Sequence, residues 1–410
     1  MPRRPMHMSE AAKAALRSAF QKLQTDLHAP KAFPPAVLEA ADAAAHAPRL
    51  PDKDATHLPL FTIDLPTSKD LDQAMYLERR SGGGFRVYYA IADVAAFVAP
   101  DGALDTEAHK RIVTLYFPDG KVPLHPPALS EGAASLLPYQ TVPALLWQHD
   151  LDAHGEVTTS HVSRALVRSR DKLDYAGVQH AIDSGTAEEP VALLRDIGTL
   201  CAAVEAARDG ISLTLPDQEV TFEDGSFRLS YRAPLAVDGW NEQISLMTGM
   251  AAARMMLDSG PGILRTQDTA PPAPLRRLVD RYAGELCVAA CDGQAPPDWV
   301  LAALDDLPNT MTKATGGTAD RRSVDLVEAA VLMDRVGGVF DATVIDTDEE
   351  ENPPNRREGQ VQMADPAVVG RVTSADVDLE LGASVRVRLE RADPAFPDRE
   401  RKILFSLVRE

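Results

Sequence analysis

Asp64, Asp70 and Asp72 crowd into one short run, Phe61-Thr62-Ile63-Asp64-Leu65-Pro66-Thr67-Ser68-Lys69-Asp70-Leu71-Asp72-Gln73-Ala74. Carboxylates at this density repel one another unless a cation lies between them. Hard oxygen ligands with room for water suit Mg²⁺ or Mn²⁺. A Mg²⁺ held by few protein carboxylates generally takes substrate phosphates as well, so the chemistry indicated is phosphoryl transfer or hydrolysis. The same residues also read as a solvated acidic turn, because Asp and Ser are ordinary turn residues. Spacing alone leaves both open.

The elements that must position these residues are legible around them. The apolar stretch Leu58 to Ile63 predicts a strand ending at Asp64, and Pro66 to Ser68 a loop that folds the chain back. Met75 to Glu78 and Phe85 to Val94 predict a hairpin around Ser81-Gly82-Gly83-Gly84. Upstream, apolar residues at helical spacing (Ala15, Leu16, Phe20, Leu23, Leu27) predict a helix over 10–28, and Pro34-Pro35 starts a second through about Ala45. Downstream, a short helix at 103–112, Pro-rich loops at 118–127 and strands at 142–151 and 156–167 are expected. A helical stretch then covers 172–209, and short strands cover 211–231. A long Met- and Ala-rich helix at 240–258, its Met stripe read as core, precedes a breaker-dense link at 268–274 and helices at 275–291, 297–304 and 320–335. From Gly337 the texture alternates as strands do (Phe340 to Ile345, Gly370 to Thr373, Ala383 to Glu390, Arg401 to Val408), which suits a small antiparallel barrel. The acidic run Asp346 to Glu351 reads as a solvated loop within it. The fold class expected is α+β.

The bulk numbers bound the function. A chain of 410 residues has room for two or three domains. Its apolar runs fall short of a bilayer span, and no apolar core follows the basic Met1-Pro2-Arg3-Arg4. Cys201, Cys287 and Cys291 are too few and too irregular for a disulfide framework, so free thiols and a cytoplasmic setting are expected. A net charge of −19 argues against broad, non-specific polyanion binding but not against a local channel for nucleic acid. Only 10 of the 42 basic residues are Lys, and Arg is the residue that contacts phosphate bidentately and stacks on bases. Three groups of Arg stand out: Arg164, Arg168 and Arg170; Arg276, Arg277 and Arg281; Arg321 and Arg322. Asp93, His125 and His149 read as structural.

The aspartate run is followed, in order, by Tyr89-Ala90-Ile91-Ala92-Asp93-Val94, Leu104-Asp105-Thr106-Glu107-Ala108, Leu115-Tyr116-Phe117-Pro118-Asp119-Gly120-Lys121-Val122-Pro123-Leu124 and Leu129-Ser130-Glu131-Gly132. This series resembles the RNB catalytic domain of the ribonuclease II/ribonuclease R exoribonuclease family. Asp171 to Tyr175 looks like that family's KLxY segment, Thr269 to Asp280 like its TSPIRRYxD element, and Ala319-Asp320-Arg321 like its AER segment. The C-terminal strands resemble its trailing OB-fold RNA-binding barrel. The short form looks like the actinobacterial-type branch. The resemblance divides the chain into an N-terminal helical segment and linker at 1–57, an RNB catalytic domain with mixed sheet and helices at 58–335, and an OB-fold barrel at 336–410.

What the resemblance implies is a 3′→5′ exoribonuclease that hydrolyses single-stranded RNA to nucleoside 5′-monophosphates, with Mg²⁺ or Mn²⁺ and no nucleotide cofactor or membrane. Asp64, Asp70 and Asp72 would be metal ligands, with Asp72 also organising the attacking water between two ions roughly 4 Å apart. Arg321 would sit over the scissile phosphate. Tyr116 and Tyr175 would stack on terminal bases, and Arg276 and Arg277 would contact phosphate or brace the site. The match departs at three places. Gln73 stands where the family carries a fourth acid, so the site holds one fewer negative charge. Glu242-Gln243 stands where paired acids are usual. After Gly262-Ile263-Leu264-Arg265-Thr266 the helical stretch that normally precedes TSPIRRY is missing. These departures frame an alternative, a catalytically weakened RNB-fold RNA-binding protein. A third reading, a non-nucleolytic interaction protein, rests on the charge alone.

Overall fold

The computed structural model describes residues 8–30, 32–208, 217–223, 226–264, 273–348, 355–399 and 401–408. Two helices come first, α1 (Glu10–Asp26) and α2 (Pro35–His46). The Ser9 side chain accepts from the Ala12 amide and caps α1, while Pro35 sets the first turn of α2. The chain then builds β1 (Leu60–Ile63), β2 (Gln73–Arg79), β3 (Phe85–Ala92), α3 (Ala103–Arg111), β4 (Leu115–Phe117), β5 (Gly120–Val122), β6 (Thr141–Leu151) and β7 (Val157–Leu173). Strands β1, β2, β3, β6 and β7 close into a five-stranded barrel. Every pair in it is antiparallel except β1 with β7, where Thr62 lies opposite Lys172. Gly84, at φ +75°, closes the β2–β3 hairpin because a Cβ there would collide with the Leu151 carbonyl.

Helices α4 (Tyr175–Asp183) and α5 (Glu189–Ala206), the ribbon β8 (Asp217–Glu223) and β9 (Ser226–Arg232), and helices α6 (Ala236–Ser259), α7 (Leu278–Asp292), α8 (Asp298–Leu304), α9 (Leu307–Met311) and α10 (Gly316–Leu332) follow. Leu194, Ile197, Ile244, Met247 and Tyr282 from three of these helices pack with Phe61, Leu77, Tyr89 and Trp147 of the barrel in one apolar core. A second core mixes small residues (Ala74, Ala90, Ala144, Ala165) with Leu60, Leu71, Leu136 and Val167. The last strands, β10 (Val339–Asp348), β11 (Asn355–Ala364), β12 (Ala367–Thr373), β13 (Ser384–Ala392) and β14 (Ile403–Leu407), close a second barrel in the order β10-β11-β12-β14-β13, with β12 and β14 parallel. That is the partly crossed order of an OB-type barrel. Helix α1 is no detached leader: it packs in one core with α10 and the second barrel, and Ser9 is tied to Asp334 through both its amide and its hydroxyl.

Several boundaries differ from the sequence expectations for physical reasons. The Pro-rich loop begins as a hairpin, because Pro118-Asp119 supplies a two-residue turn between β4 and β5. Strand β7 runs to Leu173, and the helix expected from 172 starts at Tyr175, capped by the Asp174 side chain on Gly177. The helix expected at 275 starts at Leu278. Strand β11 is an element the pattern did not reveal, because Arg356 to Gln360 carry no apolar side chain and only Val361 and Met363 alternate inward. In the acidic run Asp346 to Asp348 continue β10, and Asp348 is buried against Arg371 rather than solvated; 349–351 lie outside the described residues. The short strands expected at 211–216 and most of the 268–274 link lie outside them too. No described helix is long and apolar enough to cross a membrane.

Candidate functional site

The loop between β1 and β2 is pinned at both ends, and this brings its aspartates together. The Asp64 amide donates to the Leu173 carbonyl at 3.1 Å, continuing the β1–β7 pairing. Lys172 Nζ donates to the Pro66 carbonyl at 2.8 Å and to the Ser68 carbonyl at 2.5 Å. At the other end the fully buried Ser135 hydroxyl donates to the Lys69 carbonyl and accepts from the Leu71 amide, at 2.6 and 2.9 Å. The Asp72 carbonyl accepts from the Ala92 amide at 2.9 Å.

Each carboxylate then has protein partners. Asp64 Oδ1 accepts from the Leu65 amide at 2.7 Å and from Ser68 Oγ at 2.8 Å. Asp70 Oδ2 accepts from the Tyr116 hydroxyl at 3.0 Å, and Lys121 Nζ lies 3.3 Å from Oδ1. Asp72 is 1% exposed; its Oδ1 accepts from the Leu275 amide at 2.8 Å and its Oδ2 from Arg276 Nε at 2.6 Å. Burial pushes the Asp72 carboxyl up to about 6, against the pull of Arg276 and the Leu275 amide and with Asp70 adding to the rise. Burial works against the charge of Arg276, yet Asp72, Tyr116 and Asp64 outweigh it and hold the guanidinium above its ordinary range. Tyr175 opens α4 beside the same charges. Burial, then Asp64 and Asp238, push its hydroxyl up to about 12, and Asn241 Nδ2 donates to it at 3.4 Å.

Six of the sequence candidates therefore share one cluster: Asp64, Asp70, Asp72, Tyr116, Tyr175 and Arg276. Tyr116 is 37% exposed at its edge. Arg277 is turned to the other side, with Nε on Asp280 at 2.8 Å at the start of α7, lining a largely apolar pocket against α6. The fold does not bring Arg321 to the aspartates. It lies on the open side of α10, 59% exposed and 3.7 Å from Asp325, one turn on, in a pocket shared with Glu328 and Arg371. Arg276 is the guanidinium that the site holds.

The sequence reading missed Lys121, Lys172 and Ser135, whose roles depend on pairing across the chain. Lysine at 121 is brought to Asp70 because it lies directly opposite Tyr116 in the β4–β5 ribbon. Of the residues read as structural, Asp93 Oδ2 accepts from Arg164 at 3.0 Å, and His149 contacts Ser160 and Thr248. All three cysteines are free thiols.

The donor set has the chemistry of a hard divalent cation site, but its arrangement does not fit one. Among the described residues no group of three or more His, Cys, Asp or Glu side chains is placed to hold a metal. Both Asp70 and Asp72 already face protein cations, Lys121 and Arg276.

Residues 52–294 match the RNB domain model, and residues 338–408 match the model of the RNase II-type exonuclease C-terminal S1 domain. The chain is 26% identical over 299 residues to ribonuclease R of Escherichia coli (strain K12), which covers 70% of this chain and 35% of that protein. It is 34% identical over 187 residues to the inactive exonuclease DIS3L2 of Arabidopsis thaliana, covering 45% of this chain and 18% of that one. The chain thus spans about a third or less of these curated relatives. The structure of Mycoplasma genitalium RNase R in complex with ribose methylated single-stranded RNA superposes with a TM-score of 0.78 at 15% identity, covering 96% of this chain and 78% of that one, a likeness of fold. With well over half of its length matched by the RNB domain model and its C-terminal barrel by the S1 model, the chain belongs to the RNB family of ribonuclease II and ribonuclease R.

Proposed function

We propose that the chain is a 3′→5′ exoribonuclease acting on single-stranded RNA, and that the cluster around Arg276 receives the terminal phosphodiester. The observation that carries this reading is the convergence of Asp64, Asp70, Asp72, Arg276, Tyr116 and Tyr175 from the loop after β1, β4, α4 and the segment before α7, within a domain of the RNB family. Arg276 spends Nε on Asp72, and a guanidinium carries further N–H donors in the same plane, which suits the non-bridging oxygens of a phosphate. Asp72 holds that plane in place. Tyr116 and Tyr175 offer aromatic faces beside it; stacking on such faces is tolerant of sequence and worth about 1–3 kcal/mol per base. The reaction adds water to phosphorus and expels the 3′-oxygen of the preceding nucleotide, releasing a nucleoside 5′-monophosphate. No step is assigned to a metal, because the carboxylates as arranged do not form a site for one.

The test is 5′-labelled single-stranded RNA incubated with the protein in EDTA, Mg²⁺ or Mn²⁺, beside Asp72→Asn. Progressive shortening from the 3′ end that is lost in Asp72→Asn is expected; full-length RNA under all three conditions refutes the exonuclease reading. A second reading, an RNA-binding member with little turnover, is favoured by the protein cations that Asp70 and Asp72 face and by Gln73 in place of a fourth acid. Its signature is RNA retained on a filter, unshortened in every metal, with affinity indifferent to Asp72→Asn.

A further inference from the structure

The hairpin β4–β5 grips Asp70 from both sides. Tyr116 and Lys121 are directly opposed in its register, so their side chains leave the same face. The Tyr116 hydroxyl takes Oδ2 and Lys121 Nζ lies 3.3 Å from Oδ1. The same ammonium is 2.9 Å from Oε1 of Glu131, in the helical turn after the Pro-rich loop. Lys121, Glu131 and Asp70 are each mostly buried, with side chains 27%, 24% and 11% exposed, so this contact is not a loose surface pair. On the other side of the cluster Arg276 does the same for Asp72. Asp64, Asp70, Asp72 and Glu131 set four negative charges against the two positive charges of Lys121 and Arg276, so half of the carboxylate charge is met from within the protein.

We infer that Lys121 is a built-in counter-cation of Asp70: a positioning residue that holds this carboxylate without a metal and competes with any divalent cation for it. The inference rests on the reading of the aspartate cluster as the functional site. A divalent cation reaching Asp70 must displace the ammonium or bind beside it against its like charge. Glu131 moderates the effect by sharing the ammonium.

The probe is Mn²⁺ alone, titrated into the apo protein and followed by the loss of its free-ion electron paramagnetic resonance signal. Lys121→Met is expected to bind Mn²⁺ about tenfold more tightly than the wild type, Lys121→Arg to restore the weak binding, and Glu131→Gln, which leaves the ammonium to Asp70 alone, to weaken it further. Apo Lys121→Met should also melt at a lower temperature and recover on adding Mn²⁺, a recovery that a merely structural lysine would not give. Equal Mn²⁺ affinity in the wild type and Lys121→Met, or absence of binding in both, overturns the inference. Its failure is separable from that of the exonuclease reading, because the labelled-RNA assay reads strand shortening whatever the Mn²⁺ isotherms show.

Discussion

Replacing Arg276 with Met leaves a fully buried carboxylate facing an apolar chain, and the size of the penalty follows from linkage. In the wild type Asp72 titrates at about 6 in the fold and near its ordinary 3.8 when unfolded. A raised carboxylate pKa contributes stability that is complete below about 3.8 and is lost as pH rises through 6. Without the guanidinium the carboxyl stays protonated to much higher pH, since burial is the largest cause of its rise and Arg276 the largest opposing one. Below pH 6 both proteins then carry a neutral Asp72, and its titration contributes almost no difference. Above pH 6 the wild type ionises while the variant does not, and the gap widens by about 1.4 kcal/mol per pH unit, reaching about 3 kcal/mol at pH 8. That agrees in scale with the roughly 3–5 kcal/mol cost of breaking a buried ion pair. Urea unfolding of the wild type and Arg276→Met at pH 5, 7 and 8 gives the three differences, and Arg276→Met/Asp72→Asn should flatten the trend. A destabilisation equal at pH 5 and pH 8, or unaltered by Asp72→Asn, refutes the reasoning.

Two further outcomes are expected. Glu328, buried in α10 and accepting from Gln218 and from the Val369 amide, is pushed by burial to about 7 from 4.5, so the fold loses up to about 3 kcal/mol as pH rises from 4.5 through 7. Glu328→Gln keeps the acceptor oxygen and removes the charge, so its melting temperature should gain on the wild type from pH 5 to pH 8; parallel curves would sink the idea. Tyr175→Ala should weaken single-stranded RNA binding at low salt by about 1–3 kcal/mol in a filter assay, and unchanged retention would remove Tyr175 from the binding surface.

The local pattern carried much of the fold because it is written locally. The Leu58–Ile63 run, the hairpin around Gly82 to Gly84 and the Met-rich helix all form where period and turn residues place them. So does the aspartate loop, whose spacing alone was ambiguous. What escaped was pairing across distance. Lys121 reaches Asp70 through a strand register, Lys172 reaches the loop carbonyls through the parallel β1–β7 contact, and both look like ordinary surface charges in the chain. The different surroundings of Arg321 and Arg276 have the same origin. Both are Arg in recognisable motifs, but helix α10 turns one outward beside Asp325, and the segment before α7 delivers the other to Asp72. Asp348 shows the limit from the opposite side: an acidic run reads as solvated until Arg371, 23 residues away, is brought alongside.

The contact between Asp72 and Leu275 joins residues 203 positions apart, and that distance has a meaning in time. At synthesis rates of about 5–20 residues per second, the aspartate loop leaves the ribosome some 10–40 s before Arg276 exists. Within that interval, once β7 has been made at Leu173, the first barrel can close from β1 to β7, but Asp72 still has no guanidinium to meet and remains hydrated. The acidic centre therefore keeps its water after the strands that surround it can close. The arrival of a segment encoded two hundred codons later converts a soft, charged edge of the nascent barrel into a sealed interior.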